Sequence, residues 1–253
     1  MRAGQLAYGR LCMITSMAGL DVHILQKSQS APVAAVVLCH GFGAPGGDLV
    51  PLAQELIAAN PALAQVRFFM PAAPISLGNT GWGEARAWWP INLPAVARFQ
   101  AGDPTALREF SKAEPHGMPA ARQALLKLLN EVSVQTQLPL SRVLLGGFSQ
   151  GAMLATDVAL RLEEAPLGLA VLSGTLLLED VWGPKAKARG GLNVFQTHGR
   201  SDPILAFVAA TWLSELLVEA GMNVEMVPFE GGHTIDPDAL VKLGAFISRR
   251  VAA

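Results

Sequence analysis

Short runs of apolar residues alternate along the chain with longer segments whose apolar residues recur every three or four positions. The short runs at residues 33–39, 66–70, 143–145, 167–172 and 192–197 are predicted to be buried strands, and residues 224–229 a last strand. Strands that alternate with helices in this way are typical of an α/β fold, with a mostly parallel central sheet and helices on both faces.

The longer segments each carry one apolar stripe at the spacing of a helix face. These stripes begin at Leu49, Ala121, Ala209 and Leu240, and residues 152–162 are also helix-like. Asp48 is expected to cap the first of these helices, because its carboxylate can accept a free N–H group of the first turn.

Three segments depart from this alternation. Residues 1–19 show no clear period, and residues 20–25 alternate weakly and are predicted as an edge strand. Residues 71–118 are rich in Gly, Pro and Trp and are predicted to be irregular, with a place in the wall of a pocket. Since no linker or internal repeat interrupts the pattern, we expect residues 1–253 to form a single α/β domain, with a poorly defined segment at 1–19.

Composition narrows the functional classes. Hydrophobic residues make up 51% of the chain and charged residues 15%, which excludes a disordered protein. The net charge of -1 gives no indication of a surface that binds nucleic acid. Cys12 and Cys39 provide neither a disulfide framework nor a zinc spacing. Without a convincing signal peptide or an apolar stretch of membrane-spanning length, we expect a cytoplasmic protein with no stable membrane insertion. The sequence does not distinguish a monomer from a homodimer.

The segment Gly147-Phe148-Ser149-Gln150-Gly151 follows a predicted strand and precedes a predicted helix. Strand, tight turn and helix form the context of a nucleophile elbow, in which a strained backbone pushes the serine hydroxyl out of the sheet. The start of the helix also brings N–H groups and a partial positive charge beside the serine. The Gly-x-Ser-x-Gly pattern also arises by chance, but its context favours Ser149 as a nucleophile.

A serine nucleophile needs a base and an acid that orients the base. In a parallel sheet both should follow later strands, and Asp202 and His233 do, in the Ser, Asp, His order of α/β-hydrolases. Taken alone, Asp202 before a proline could be a turn former, and His233 a solvated loop residue. Rival acids follow neighbouring strands or His233 itself, namely Glu179, Asp180 and Asp236. Of the other histidines, His40 and His198 each end a strand before a glycine and are expected to shape their turns.

Residues 41–46 match the G-x-G-x-x-G dinucleotide fingerprint, which would indicate a nucleotide-dependent oxidoreductase. Pro45 removes one N–H group from the turn, and the next strand ends without a carboxylate to bind a ribose. An oxyanion loop is the favoured alternative. In it, the backbone N–H of Phe42 joins that of Gln150, the residue after the nucleophile.

These motifs resemble the phospholipase/carboxylesterase family of α/β-hydrolases, which includes acyl-protein thioesterases and bacterial carboxylesterases. The likeness runs from about residue 20 to the C-terminus and is carried by His40-Gly41-Phe42-Gly43, residues 146–151, His198-Gly199-x-x-Asp202-Pro203 and Gly232-His233. The resemblance implies hydrolysis of a carboxylic ester or thioester without a cofactor. It also implies a triad of Ser149, Asp202 and His233, with Phe42 and Gln150 forming the oxyanion hole.

The chain departs from the thioesterase members of that family in three places. Ala44-Pro45 lies where they often carry an aspartate, and Trp88-Trp89-Pro90 replaces their Trp-Phe-Asp segment. The segment that follows, residues 91–118, is longer than the corresponding segment of those members. Phe42, Trp88 and Trp89 are predicted to line the substrate pocket, although burial in the core is the ordinary role of Trp82, Trp88 and Trp89.

We therefore expect a serine esterase that hydrolyses carboxylic esters of short to medium acyl chain through an acyl-enzyme. The alternative on the same machinery is a lysophospholipase or an acyl-protein thioesterase. A remoter alternative is a non-catalytic module that binds a lipid or an ester.

Overall fold

The central sheet positions every predicted catalytic group. In the computed structural model, residues 12–78, 81, 83–100, 103 and 105–253 are described, without the side chains of residues 95, 96, 99 and 100. Within these residues the sheet has eight strands: β1 Cys12–Met17, β2 Leu20–Leu25, β3 Ala34–Cys39, β4 Val66–Pro71, β7 Val143–Phe148, β8 Gly168–Leu172, β9 Asn193–Gly199 and β10 Asn223–Phe229. A separate short hairpin joins β5 Ile75–Ser76 and β6 Arg86–Ala87. The strand order across the sheet is β1-β2-β4-β3-β7-β8-β9-β10.

The sheet is parallel from β4 to β10, and only β1 and β2 run antiparallel to their neighbours. Because parallel strands end at the same edge, the loops after β3, β7, β8, β9 and β10 open on one side of the molecule. Those loops hold the predicted oxyanion loop, nucleophile, acid and base.

The helices connect the strands and cover both faces of the sheet. They are α1 Val50–Ala59, α2 Leu93–Gln100, α3 Ala106–Lys112, α4 Met118–Thr136, α5 Gln150–Arg161, α6 Glu179–Lys187, α7 Phe207–Glu219 and α8 Pro237–Ala252. Among the described residues, no helix combines the length and the apolar character needed to cross a membrane.

Two buried cores lie on opposite faces of the sheet. The side chains of β3 alternate between them, since Val37 belongs to the core under α4, α5, α6 and α7, while Val36 belongs to the core under α1 and α8. Each face therefore has its own apolar contacts, as strands that are buried on both sides require. The predicted α/β fold, with helices on both faces of a mostly parallel sheet, is confirmed.

The N-terminal strands differ from the prediction. Residues 1–19 contain β1, in which the neighbouring residues Met13 and Ile14 are 60% and 64% exposed, so the strand shows no alternation of apolar and polar positions. As β1 forms the edge of the sheet, β2 is not the edge strand that its weak alternation indicated.

Two other local predictions are wrong. Residues 71–118 are not irregular throughout, because α2 and α3 lie within them. An ion pair between Arg98 and Glu109 at 2.6 Å connects these two helices, and Arg98 also pairs with Asp103 between them at 2.6 Å. Polar contacts of this kind leave no apolar period in the sequence. Asp48 does not cap α1, which begins at Val50 after Leu49 without a side-chain cap.

A buried carboxylate joins three helices on the face that carries the elbow. Asp157 of α5 accepts hydrogen bonds from Arg122 of α4, from Arg161 of α5 at 2.8 Å and from Trp182 of α6 at 2.8 Å. A buried charge is tolerated only when it is paired and hydrogen-bonded, and Asp157 is both. The cluster fixes α5, the helix whose first residue follows Ser149.

Candidate active site

Ser149 lies at the junction of β7 and α5 in a strained backbone conformation, with φ 55° and ψ -118°. Its N–H group donates to the carbonyl of Leu172 at 2.8 Å, which fixes the turn to the neighbouring strand β8. A positive φ is costly for a residue with a Cβ atom and occurs at functional sites where surrounding contacts enforce it. The predicted elbow context, strand then turn then helix, is present.

The two glycines of the elbow are required by its geometry. A Cβ atom on Gly147 would lie 2.5 Å from the carbonyl oxygen of Cys39 and 2.5 Å from the carbonyl carbon of Gly151. Only glycine allows β3, β7 and α5 to approach this closely. The Gly-x-Ser-x-Gly spacing therefore follows from the packing of the elbow.

The side chains of Ser149, His233 and Asp202 form one chain of hydrogen bonds. His233 Nε2 lies 2.8 Å from Ser149 Oγ, and His233 Nδ1 lies 2.6 Å from Asp202 Oδ2. The carboxylate accepts the Nδ1 proton, which leaves the Nε2 lone pair facing the serine hydroxyl. The ring of Phe148 packs against the His233 ring with centroids 4.9 Å apart.

Asp202 is held as an anion inside the protein. Burial alone would raise its pKa, but hydrogen bonds from His198, from His233 and from the N–H groups of Leu205 and Ile204 outweigh burial and hold the pKa well below its usual range. Its Oδ1 accepts the Ile204 and Leu205 N–H groups at 2.8 and 2.9 Å, so Asp202 also forms the turn.

Two of the three rival acids have other partners. Asp236 caps α8 by accepting the N–H groups of Asp238 and Ala239, both at 3.0 Å. Glu179 pairs with Arg108 at 3.3 Å, and Asp180 is exposed in the first turn of α6.

The loop after β3 passes directly beside the serine. A Cβ atom on Gly41 would lie 3.4 Å from the Cβ atom of Ser149. Gly43 has φ 80° and donates its N–H to the Arg86 carbonyl at 2.9 Å, which ties the loop to the hairpin strand β6. The dinucleotide alternative is not supported, because α1 begins only at Val50 and residues 41–46 therefore do not open a helix.

His40 shapes this loop, as its position predicted. Its Nε2 accepts the Ala73 N–H at 2.9 Å, so the ring proton is on Nδ1, which donates to the Gly41 carbonyl at 2.8 Å. Burial lowers the pKa of His40 below its usual value, which favours this neutral form.

The side chain of Gln150 forms a clamp that the sequence analysis missed. Its Oε1 accepts the Trp88 N–H at 2.8 Å, and its Nε2 donates to the Trp89 carbonyl at 2.9 Å. The Trp88 indole also donates to the His40 carbonyl at 3.0 Å. The segment 88–89 thereby connects the loop after β3 to the first turn of α5, and no local signal could have paired residues 61 and 62 positions apart.

The predicted pocket residues lie in this neighbourhood with different exposures. Trp88 and Trp89 are 1% and 4% exposed and belong to the core on the α5 face. Phe42 is partly exposed on the loop beside Ser149. Trp82 lies outside the described residues.

Comparison with known proteins assigns the chain to a family. It is 28% identical to acyl-protein thioesterase 1 of Neurospora crassa over 90% of this chain and 91% of that protein, and 28% identical to acyl-protein thioesterase 1 of Eremothecium gossypii over 92% and 94%. The solved structure of esterase PE8 superposes with a TM-score of 0.75 at 26% identity, covering 91% of this chain and 98% of that one. The phospholipase/carboxylesterase family profile matches residues 21–251. The chain therefore belongs to the phospholipase/carboxylesterase family and is a serine hydrolase of the α/β-hydrolase fold.

Proposed function

We propose that this hydrolase cleaves carboxylic esters of short to medium acyl chain through an acyl-enzyme on Ser149. The observation that carries the proposal is the continuous hydrogen-bonded chain from Ser149 Oγ through His233 to Asp202, at 2.8 and 2.6 Å. Both distances are within the range in which a base can take the proton of a nucleophile.

In the first half of the reaction, Ser149 Oγ attacks the carbonyl carbon of the ester and its proton passes to His233 Nε2. Asp202 stabilises the imidazolium and fixes the ring by accepting the Nδ1 proton. His233 then protonates the leaving alcohol, and the carbon–oxygen bond to that alcohol breaks. In the second half, water attacks the acyl-enzyme with the same base, which releases the acid and restores the Ser149 hydroxyl.

The negative charge of the tetrahedral intermediate requires donors. The backbone N–H groups of Phe42 and Gln150 are the proposed pair, since the first belongs to the loop beside Ser149 and the second opens α5. The helix start contributes a favourable field at the same point. Fixed backbone donors stabilise the oxyanion without reorganisation during the reaction.

The substrate is proposed to be a small-molecule ester whose acyl group contacts Phe42, Trp88 and Trp89. Partial exposure of Phe42 and the position of the segment 88–89 against Gln150 support this assignment. The proposed acyl-enzyme reaction requires no metal, cofactor or nucleic acid. A cytoplasmic location and a monomeric or homodimeric state are further predictions.

A second candidate activity is favoured by the names of the relatives. Proteins called acyl-protein thioesterase 1 align over about nine-tenths of this chain, and a thioester reacts through the same acyl-enzyme. The family description also names phospholipases, which makes a lysophospholipid a candidate ester. Ala44-Pro45, Trp88-Trp89-Pro90 and the longer segment 91–118 support small esters over acylated proteins.

A hydrolysis panel separates these candidates. It compares p-nitrophenyl esters of increasing acyl length with a lysophospholipid and an acyl thioester, using purified protein and Ser149→Ala as the control. We expect the highest kcat/KM on a short or medium p-nitrophenyl ester and no turnover by Ser149→Ala. A higher kcat/KM on the thioester or the lysophospholipid would replace the proposed substrate class, and no turnover of any substrate would contradict the esterase proposal.

A further inference from the structure

A second histidine contacts the carboxylate of Asp202. His198 is the penultimate residue of β9 and is fully buried. Its Nε2 lies 3.2 Å from Asp202 Oδ2, the same oxygen that accepts the His233 Nδ1 proton. The mechanism described above does not use His198.

The surroundings of His198 define its tautomer. Its Nε2 lies 2.7 Å from the Leu205 carbonyl as well as 3.2 Å from Asp202 Oδ2, and both of these oxygens are acceptors. The ring proton must therefore be on Nε2, shared between the two oxygens. Its Nδ1 is buried with no hydrogen-bond partner among the described residues, so a second ring proton would have no acceptor. The geometry favours a neutral ring that acts as a donor.

The two oxygens bonded by His198 belong to one tight turn. Asp202 Oδ1 accepts hydrogen bonds from the N–H groups of Ile204 and Leu205, while the carbonyl oxygen of Leu205 accepts one from His198 Nε2. His198 therefore contacts the turn at its first and last residues. A carboxylate fixed through both oxygens cannot rotate away from His233.

We propose that His198 is a positioning residue of the triad, whose Nε2–H donor orients the Asp202 carboxylate toward His233. The inference rests on the proposed function, because it assigns His198 to the reaction of Ser149. A neutral donor suits this task, since a permanent cation beside Asp202 would neutralise the charge that stabilises the imidazolium of His233.

The other charged groups near His198 lie beyond its immediate contacts. The ring of Phe207 faces His198 with centroids 6.2 Å apart, and the Arg200 guanidinium lies over that Phe207 ring at 5.1 Å. Asp202 is therefore the charged group in hydrogen-bond contact with His198, and His233 is reached through it. Changes at His198 should act on the reaction through Asp202.

The test compares variants that keep or remove the donor. His198→Gln keeps an N–H group near the position of Nε2, whereas His198→Phe keeps the ring shape without a donor, and His198→Asn places its amide near the position of Nδ1. Thr197→Val is the matched control. Thr197 precedes His198 on the same strand, and the substitution removes a part-buried hydrogen bond from Thr197 Oγ1 to the Val227 carbonyl of β10. Each variant is measured for melting temperature, for kcat and KM, and for the pH profile of kcat/KM on a p-nitrophenyl ester.

We expect His198→Phe and His198→Asn to lower kcat by about 10- to 100-fold with KM within about two-fold, by analogy with outer partners of metal-bound histidines. Without the donor, Asp202 and His233 together bind a proton more tightly. The acid limb of the pH profile, where kcat/KM rises with pH, should therefore move to higher pH. His198→Gln should restore most of kcat and the position of the limb. Thr197→Val should lower the melting temperature without moving the limb.

Proton NMR of the wild type and the variants gives a readout that needs no activity. The proton shared by His233 and Asp202 should give a far-downfield resonance, which moves further downfield when the competing donor is lost. An inactive wild type with this response would refute the esterase proposal and leave the positioning role in place. The positioning role would be overturned if the acid limb and the resonance were unchanged in the donor-free variants, or if the limb moved to lower pH. Equal behaviour of His198→Gln and His198→Phe would also overturn it, as would failure of both donor-free variants to fold.

Discussion

The Cα atom of Gly151 faces the carbonyl oxygen of Cys39 so closely that a side chain on Gly151 would overlap that oxygen. The contact joins the start of α5, which carries the proposed oxyanion donor Gln150, to the end of β3, whose following loop carries the other proposed donor, Phe42. Both partners are backbone, and backbone at the junction of a buried strand and a buried helix has no room to move aside.

Gly151→Ala should therefore destabilise the protein by about 3 kcal/mol or more. For a chain of this size the loss corresponds to a melting temperature roughly 6–12 °C lower. The same substitution at Gly190, where a Cβ atom would lie 3.5 Å from its nearest neighbour, is the control and should change stability by less than about 0.5 kcal/mol. Thermal unfolding of the two variants measures the difference, and equal melting temperatures would contradict the steric argument.

Substitutions of Trp89 test whether this side chain lines the acyl pocket or only packs in the core. The side chain is 4% exposed, so Trp89→Ala should cost about 3–5 kcal/mol. The milder Trp89→Phe should leave the protein folded and change the ratio of kcat/KM between long and short p-nitrophenyl esters, because the wall of the acyl pocket is moved.

Trp182→Phe is the control for Trp89→Phe. Trp182 is fully buried on α6, and its indole donates to Asp157. We expect this variant to lose stability while keeping the wild-type preference for acyl length. A preference that is unchanged in Trp89→Phe would refute the pocket role of Trp89.

The fold was predictable wherever burial dominates the sequence. The strands β3, β4, β7, β8 and β9 lie within the apolar runs or extend them by a few residues, because strands covered on both faces consist mostly of apolar side chains. Elements held by other forces were missed. The edge strand β1 has no alternation, and α2 and α3 are connected by exposed ion pairs of Arg98.

The sequence was sufficient to predict the triad residues of the candidate site, but not the side-chain contacts that support them. Ser149, Asp202 and His233 each follow a predicted strand, and the parallel sheet brings those strand ends together. The clamp from Gln150 to Trp88 and the contact from His198 to Asp202 depend on side-chain orientation, which spacing along the chain does not encode. For His198, only its position at a strand end, four residues before Asp202, was a signal.

Asp202→Asn should reduce kcat by roughly 10⁴-fold while the protein stays folded, by analogy with serine proteases. The amide presents its N–H₂ or its oxygen to His233 without a charge, so the correct tautomer and the imidazolium both lose their stabilisation. Steady-state kinetics on a p-nitrophenyl ester measure the loss. Near-normal activity of Asp202→Asn, together with a large loss in Glu179→Gln or Asp180→Asn, would show that the acid is on α6.

The low pKa of Asp202 also predicts how stability depends on pH. An aspartate in an unfolded chain titrates near ~3.9, and the pKa of folded Asp202 is lower, so its ionised form stabilises the fold above that pH. This contribution is fully present above about pH 4–5 and is lost as the pH falls toward the folded pKa. The free energy of unfolding of the wild type relative to Asp202→Asn should therefore decrease as the pH falls below about 4.

Urea denaturation at a series of pH values measures this dependence. Thr197→Val supplies the baseline, since it removes a part-buried hydrogen bond without removing a titrating group. Its difference from the wild type should not change with pH. A difference between the wild type and Asp202→Asn that grows in acid would mean that Asp202 is not held as an anion.

Covalent labelling tests whether the geometry at Ser149 creates reactivity. A serine hydroxyl without a base reacts negligibly with a fluorophosphonate, whereas one with a histidine base and an oxyanion hole reacts fast, because the tetrahedral adduct resembles the transition state. The folded protein should gain one adduct, which peptide mass mapping assigns to Ser149. Ser149→Ala should abolish it, and His233→Ala should nearly abolish it, because triad members act as a unit.

Heat-denatured protein is the matched control for this labelling experiment. It contains the same serine but has lost the 2.8 Å contact with His233 and the strained backbone of Ser149, so it should not label. Ser173 provides an internal comparison, since it also follows a strand and has a positive φ, of 51°. Its Oγ, however, donates to the Thr234 carbonyl at 3.0 Å and not to a histidine. An adduct on Ser173, or equal labelling of native and denatured protein, would refute Ser149 as the nucleophile.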